Sequence, residues 1–250
     1  MKKELNPVGF SSMSKLKLTG SIDIENDAAT HYLHQQVGGI INIGSVTTPF
    51  KVLPLDNSFN RLAKRSVDII LSVLFITLVF PWLFPVIALL IKLDSRGPVF
   101  FLQKRNKRNG ELFTCIKFRS MDKNGDADIL PAGKNDKRIT ATGRFLRNHY
   151  LDELPQFLNV LWGDMSIIGP RPHMVSDNLK FDELIKNYDF RHKVKPGITG
   201  LAQIMGYLGP TENLQEMEAR VNLDIYYARH WSAKLDLIIL FRTILKPLGF

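Results

Sequence analysis

Polar and apolar positions mix without a clear period from Met1 to Asn60. Within that stretch Ile41, Ile43 and Val46 are β-formers between turn residues, so Gly38–Leu55 is read as a short strand or two in an N-terminal extension. The pattern changes at Arg61. From Ile69 to Ile91 no charged residue occurs, a run of about 23 residues and roughly 35 Å as a straight helix, against ~30 Å of bilayer hydrocarbon. A helix apolar on every face fits a membrane better than the core of a small soluble protein. Pro81 lies mid-run and Pro85 one turn later, so a kink or break is expected near Pro81. Basic residues flank both ends: Arg61, Lys64 and Arg65 before, Lys92 and Arg96 after. Cytoplasmic flanks carry such charge, which favours a helix that enters, bends and leaves by the face it entered. A kinked spanning helix stays open, because prolines are tolerated there.

Beyond the apolar run, Val99–Leu102 and Leu112–Phe118 are β-like and separated by Asn109-Gly110, the signature of a β-hairpin. Asp122–Lys137 is rich in Gly, Asp, Asn and Lys and reads as a loop. Helices are expected from about Thr142, from Asp152, over Asn178–His192 and, in pieces, over Glu212–Phe241; Lys193–Gly200 reads as a loop. The fold class is therefore α+β: a membrane-embedded helix, re-entrant or spanning, with a small, mostly helical domain carrying a β-hairpin and interfacial amphipathic helices. Trp231 with Tyr226 and Tyr227 suits such an interfacial helix, and a core helix explains them almost as well.

Composition narrows the partners. The net charge is +9 and the pI about 9.6, which points to polyanions: nucleic acid, an anionic membrane face or phosphorylated substrates. No nucleic-acid motif is present, and the aromatics do not interleave with basic residues as a stacking platform requires. Lys104, Arg105, Lys107 and Arg108 are read as facing anionic lipid headgroups. The single cysteine, Cys115, excludes an internal disulfide and reads as strand packing.

Candidate chemistry concentrates in Arg144–Pro172. Leu154, Phe157, Leu158 and Leu161 fall at helical spacing, with Asp152 as an N-cap type and Pro155 in the first turn. Asp152 and Glu153 then stand at a helix N-terminus, where an ionised carboxylate is favoured and phosphate can bind. An Asp can attack phosphorus to give an acyl phosphate, a neighbouring Glu can hold Mg²⁺, and Arg147 and Arg171 can clamp phosphate oxygens. Pro170 and Pro172 stiffen the backbone on either side of Arg171. Lys117 and Arg119 alternate on one strand face and could meet the same phosphates or form a solvated edge. Asp164 suits a turn, and His149 a local structural role. Taken singly, each feature also has a plain structural reading: a cap, a rigid turn, a basic edge.

The segments "KRSVDIILS", "GPVFFLQKR", "FTCIKFRSM", "LDELPQFLNVLWGDMSIIGPRP" and "KVKPGITGLAQIMG" together resemble the bacterial sugar transferase family, the monotopic phosphoglycosyl transferases, over about Arg61 to the C-terminus. The resemblance implies transfer of a sugar 1-phosphate from a UDP-sugar to polyprenyl phosphate with release of UMP, Mg²⁺ as cofactor and a covalent phosphosugar intermediate. It implies Asp152 as nucleophile, Glu153 on the metal, and Arg147, Pro170, Arg171 and Pro172 near the substrate phosphates. Pro81 matches the proline that bends the family's re-entrant helix. The C-terminal part resembles the exopolysaccharide-initiating branch, which often uses glucose or galactose. Tyr150 stands where Ser or Thr is common, Asn106-Lys107 near where a Val-Gly is usual, and Leu208 near where an Arg is common; these departures bear on the choice of sugar. The implied organisation is an extension over 1–60, a membrane helix over 61–96, and a transferase domain over 97–250 facing the cytoplasm from the bacterial inner membrane. A homo-oligomer stays open. The rival reading is a membrane-anchored basic binding or scaffold protein without catalysis.

Overall fold

Asn57 starts the first long helix: its side chain accepts from the Phe59 and Asn60 N–H groups at 2.8 and 3.4 Å. Helix α1 covers Ser58–Leu78 and α2 Phe80–Asp94, with a 64° bend between them. The break falls at Val79 because Pro81 cannot donate to a carbonyl one turn back, whereas in the first turn of a new helix the missing N–H is harmless. Among the described residues no single helix is long and apolar enough to cross a membrane; this bent pair reaches the length and composition of a span when its two helices are taken together. These elements come from a computed structural model that describes residues 52–122, 133, 136–209, 211 and 213–245. All described residues lie in one compact unit, Phe50–Phe250. The readings for the N-terminal extension and for most of the Asp122–Lys137 loop fall outside the described residues.

The outer faces of α1 and α2 carry exposed Phe59, Ile70, Leu74, Leu78, Trp82 and Leu89. Their inner faces are fastened to the rest of the unit. In α1, Asp68 is buried and accepts from Ser166 Oγ and the Ile167 N–H, both at 2.9 Å. Lys64 donates to Asp236 at 2.7 Å, and Arg65 donates to the carbonyls of Val160 and Leu161 at 2.5 and 2.7 Å. Deeper along α1, Phe75 stacks on Phe157 at 4.1 Å. In α2, Ile87 and Ile91 pack with Phe118 and Leu146, and Phe84 meets the rings of Phe100 and Phe118.

Strands β1 (Phe100–Asn106) and β2 (Leu112–Phe118) form the expected antiparallel hairpin, in register from Phe100↔Phe118 to Asn106↔Leu112. Its turn places Asn109 at φ 62° and Gly110 at φ 78°, the left-handed region that selected Asn-Gly. A second sheet is parallel and only two strands wide, β3 (Ser166–Ile168) beside β4 (Gly197–Thr199). It lies partly within the segment read as a loop. A Cβ on Gly197 would sit 2.1 Å from the Gly169 nitrogen, so this junction accepts only glycine.

The remaining helices are α3 (Ala141–Asn148), α4 (Gln156–Trp162), α5 (Val175–Asp182), α6 (Leu201–Ile204), α7 (Leu214–His230) and α8 (Ala233–Leu245). The helix expected over Asn178–His192 is instead α5 followed by a 3-10 turn, Tyr188–Lys193, with Asn187 left-handed between them. Tyr226, Tyr227 and Trp231 are buried, so of the two readings open for them the core helix holds and the interfacial one does not. The Tyr227 hydroxyl lies 2.8 Å from Asp236, and Trp231 Nε1 donates to the same carboxylate at 2.9 Å, so these aromatics tie α7 to α8. The architecture is α+β, with small sheets between helices.

Candidate active site

Helix α3 is capped by Thr140, whose hydroxyl accepts from the Gly143 N–H at 3.0 Å. Gly143 lies so close to the end of β2 that a Cβ would be 1.9 Å from the Ser120 carbonyl oxygen. This contact brings Arg147, one turn later, to 3.5 Å from Ser120 Oγ. The chain then turns through Tyr150, at φ 56° and ψ 17°, into a 3-10 turn formed by Leu151–Glu153. A bulky side chain in that region carries strain of about 1 kcal/mol. Asn tolerates this backbone, and the Tyr150 ring is 50% exposed. Tyr150→Asn is therefore expected to raise stability by about 1 kcal/mol, read from urea unfolding in detergent. A destabilised variant would mean that the ring's packing outweighs the strain.

Asp152 does not cap the next helix as expected. Helix α4 begins at Gln156 behind Pro155 without a side-chain cap, and Asp152 lies in the 3-10 turn before it. Both carboxylates are nearly enclosed, Asp152 at 9% and Glu153 at 8% exposure. Glu153 accepts three hydrogen bonds from two cations. Lys117, near the end of β2, donates to Oε1 at 2.7 Å, and Arg171 forks onto the two oxygens at 2.9 and 2.5 Å. Burial by itself would raise the Glu153 pKa. The charges of Arg171 and then Lys117, with their hydrogen bonds, outweigh it and hold this carboxyl well below the usual range. Asp152 moves the other way: burial first, then the like charge of Glu153, push its pKa up against Lys117, Arg147 and Arg171. No side-chain hydrogen bond to Asp152 occurs among the described residues. Adjacent carboxyls driven in opposite directions suit different chemical tasks.

Arg171 follows β3. Its segment is fixed by Gly169 N–H to Thr199 O and Gly197 N–H to Pro170 O, both at 2.9 Å. Two further arginines, Arg191 buried and Arg105 half-buried, hold its next carbonyls: Arg191 donates to Arg171 O at 2.6 Å and Arg105 to Pro172 O at 3.0 Å. Sequence reasoning gave no signal for Arg191. It assigned Arg105 to lipid headgroups, a reading the structure corrects, because Arg105 turns inward to Pro172 and Gln103. Lys107 pairs with Asp164 at 3.0 Å, and Arg108 with Asp56 at 3.5 Å.

The structure thus gathers Lys117, Arg147, Asp152, Glu153 and Arg171, with Pro170 and Pro172 flanking the last. Arg119 is not in this group. It follows β2 and donates to the carbonyls of Ser95 and Arg96 at 2.8 and 2.6 Å, closing the C-terminal end of α2. His149 is exposed and bonds Phe145 O at 2.8 Å. Cys115 is buried, and burial pushes its thiol up, so it is unreactive packing. Among the described residues no group of three or more His, Cys, Asp or Glu side chains could hold a metal by itself. Two adjacent carboxylates do suit a cation that takes one or two carboxylates and completes its shell with substrate phosphate, as Mg²⁺ does.

The chain matches the bacterial sugar transferase family over residues 59–249. A UDP-glucose:undecaprenyl-phosphate glucose-1-phosphate transferase of Klebsiella pneumoniae is 51% identical over 191 residues, covering 76% of this chain and 41% of that protein. The protein of that name from Escherichia coli (strain K12) is 48% identical over 204 residues, covering 81% of this chain and 44% of its own length. Another, from Caulobacter vibrioides, is 42% identical over 192 residues, covering 76% of this chain and 72% of the relative. The chain thus spans less than half the length of the first two relatives and most of the third. On a match that takes in the membrane-type helix pair, the hairpin, the carboxylate pair and Arg171, the chain belongs to the bacterial sugar transferase family.

Proposed function

We propose that this chain transfers a sugar 1-phosphate, with glucose as the first candidate sugar, from a UDP-sugar to polyprenyl phosphate and releases UMP. The observation that carries the reading is the buried Asp152–Glu153 pair, with Glu153 fixed by Arg171 and Lys117 and Asp152 without a side-chain partner among the described residues. A carboxylate with a raised pKa is a stronger nucleophile than an ordinary one, and no hydrogen bond has to be broken to release it. Asp152 Oδ attacks the β-phosphorus, the bond from that phosphorus to the bridging oxygen breaks, and UMP leaves with the electron pair. A phosphate oxygen of the lipid then attacks the same phosphorus, and the Asp152 carboxylate departs. Arg147 and the exposed edge of Arg171 are placed to hold phosphate oxygens in both steps. Glu153 would hold Mg²⁺, which when bound offsets charge on the diphosphate. Wild-type protein with Mg²⁺ and polyprenyl phosphate is expected to release UMP from UDP-glucose, in an amount that depends on the lipid. No UMP from any UDP-sugar in a panel would reject the activity.

We further infer that α1 and α2 enter and leave the membrane by one face, with the 97–250 domain at the cytoplasmic surface of the inner membrane. The start of α1 is bound to α8 and β3 through Lys64 and Asp68, and α2 packs on the hairpin through Phe84, Ile87 and Ile91. Both arms of the bend are thus fastened to one body, which supports re-entry, since spanning would separate the ends by ~30 Å. The exposed stripe Leu237, Phe241 and Ile244 on α8 suits the lipid interface as well. Cys115 is buried, so single cysteines at Arg61 and at Lys92 can be probed separately. Neither is expected to react with an impermeant thiol reagent in cells until the inner membrane is opened. Labelling of one of the two from outside would establish a spanning helix.

A further inference from the structure

Arg191 and Asp224 form the most enclosed ion pair among the described residues, with side chains 1% and 2% exposed. Such a pair is a costly way to stabilise a fold, since apolar residues of similar size would do as well. Its geometry shows another use. Arg191 sits in the 3-10 turn Tyr188–Lys193, and Asp224 lies inside α7. Arg191 Nε and Nη2 donate to Asp224 Oδ2 at 3.1 and 2.8 Å, which fixes the plane of the guanidinium. The same Nη2 donates to Arg171 O at 2.6 Å. On the other side Nη1 donates to the Tyr188 hydroxyl at 3.2 Å and to His173 Nδ1. His173 is therefore a neutral acceptor at Nδ1, a tautomer assigned from its partners. Tyr188 passes its own proton to Asn178 at 2.7 Å, and Asn178 donates to Asn106 at the end of β1 at 2.6 Å.

Prolines at 170 and 172 remove two N–H groups, so this backbone cannot be fixed by a regular ladder. Its carbonyls are fixed instead, Arg171 O by Arg191 and Pro172 O by Arg105. We propose that Arg191, oriented by Asp224, is a positioning residue for Arg171: by binding the Arg171 carbonyl it sets where that guanidinium meets Glu153 and the substrate phosphate. The substrate half of this statement rests on the proposed transfer reaction; the Glu153 half does not. A displacement of about 1 Å at such a clamp can cost about 10²-fold in rate.

The discriminating substitution is Arg191→Lys in the full chain. An ammonium can still answer Asp224, but it cannot also serve Arg171 O and His173 Nδ1 from a rigid fork. Lipid-dependent UMP release is expected to fall about 10- to 100-fold, carried by kcat. The KM for polyprenyl phosphate should stay within about twofold and the melting temperature within a few degrees. Arg171→Lys supplies the second arm. If Arg191 acts through Arg171, Arg171→Lys/Arg191→Lys is no slower than Arg171→Lys alone; losses that multiply would overturn the proposal. A folded Arg191→Lys protein within twofold of wild type would overturn it too. Should Arg191→Lys not fold, Arg191→Met/Asp224→Leu replaces the pair with apolar side chains and enters the same cycle. Should wild type release no UMP, the transfer reading fails, and positioning is judged by the ¹⁵N–¹H NMR signals of the Arg171 guanidinium, which is bound to Glu153 in wild type. Loss of the slowed side-chain rotation that this fork imposes would, in Arg191→Lys, support the proposal, and unchanged Arg171 signals would sink it.

Discussion

Asp152→Asn is expected to lower UMP release by roughly 10⁴-fold or more and to abolish any phosphosugar adduct. The amide has nearly the carboxylate's shape and leaves the contacts of Glu153 with Lys117 and Arg171 intact, so the loss would be chemical rather than structural. Stability should move the opposite way. The folded-state pKa of Asp152 lies above its ordinary value, so the folded protein binds that proton more tightly than the unfolded chain does. Ionising Asp152 therefore costs stability, and the cost is fully present once the pH exceeds the folded pKa. A neutral side chain removes it, and Asp152→Asn should be slightly more stable than wild type at neutral pH. The same raised pKa sets the acid limb of the reaction. Activity should fall as the pH drops through a value above the ~3.9 of an ordinary Asp. Radiolabelled nucleotide sugar detects the adduct, and urea unfolding reads the stability. Turnover above a few per cent of wild type in Asp152→Asn would remove that residue from the nucleophile's place.

Local chemistry was readable where a short-range rule acts without competition. Pro81 broke the apolar run because no partner can replace a missing N–H within a helix, and Asn109-Gly110 set the hairpin because few residue pairs accept two positive φ angles. The carboxylate pair and Arg171 stood out by residue type, and the structure brings them together. What was not readable depends on contacts between distant segments. Strands β3 and β4 have three residues each, too few to show a period. Arg191 and Asp224 are 33 residues apart, and each looks like a surface charge until the fold buries both. Arg119 alternates correctly with Lys117 but lies past the end of β2, where the free carbonyls of Ser95 and Arg96, just beyond α2, claim it. The basic flank of α1 was a topology signal in the sequence; Lys64 and Arg65 instead bind Asp236 and the end of α4. The fastened ends of the helix pair therefore favour re-entry more strongly than the flanking charges do.

Arg171→Met should damage both stability and turnover. The variant leaves Glu153 nearly enclosed with Lys117 as its remaining cation in contact. Removing one partner of a buried pair costs roughly 3–5 kcal/mol; Arg171 is 27% exposed and Lys117 remains, so about 2 kcal/mol is expected. Activity should fall about 10²- to 10³-fold, the range for losing one preorganised group that stabilises developing charge. The pH dependence separates this account from a loss of packing. In wild type the Glu153 pKa is depressed, so its contribution is fully present above the ~4.3 of an ordinary Glu and is lost as the pH falls through the much lower folded value. Without Arg171 the effect of burial gains ground, the folded pKa rises, and protonation in mild acid relieves the variant. The stability gap between wild type and Arg171→Met should be widest near neutral pH and narrow below about pH 4. Urea unfolding at pH 7.5 and pH 4 measures both ends. A gap of equal size at the two pH values would mean that Arg171 supports the fold by its stem alone, and that Glu153 is held ionised by something other than the fork now assigned to it.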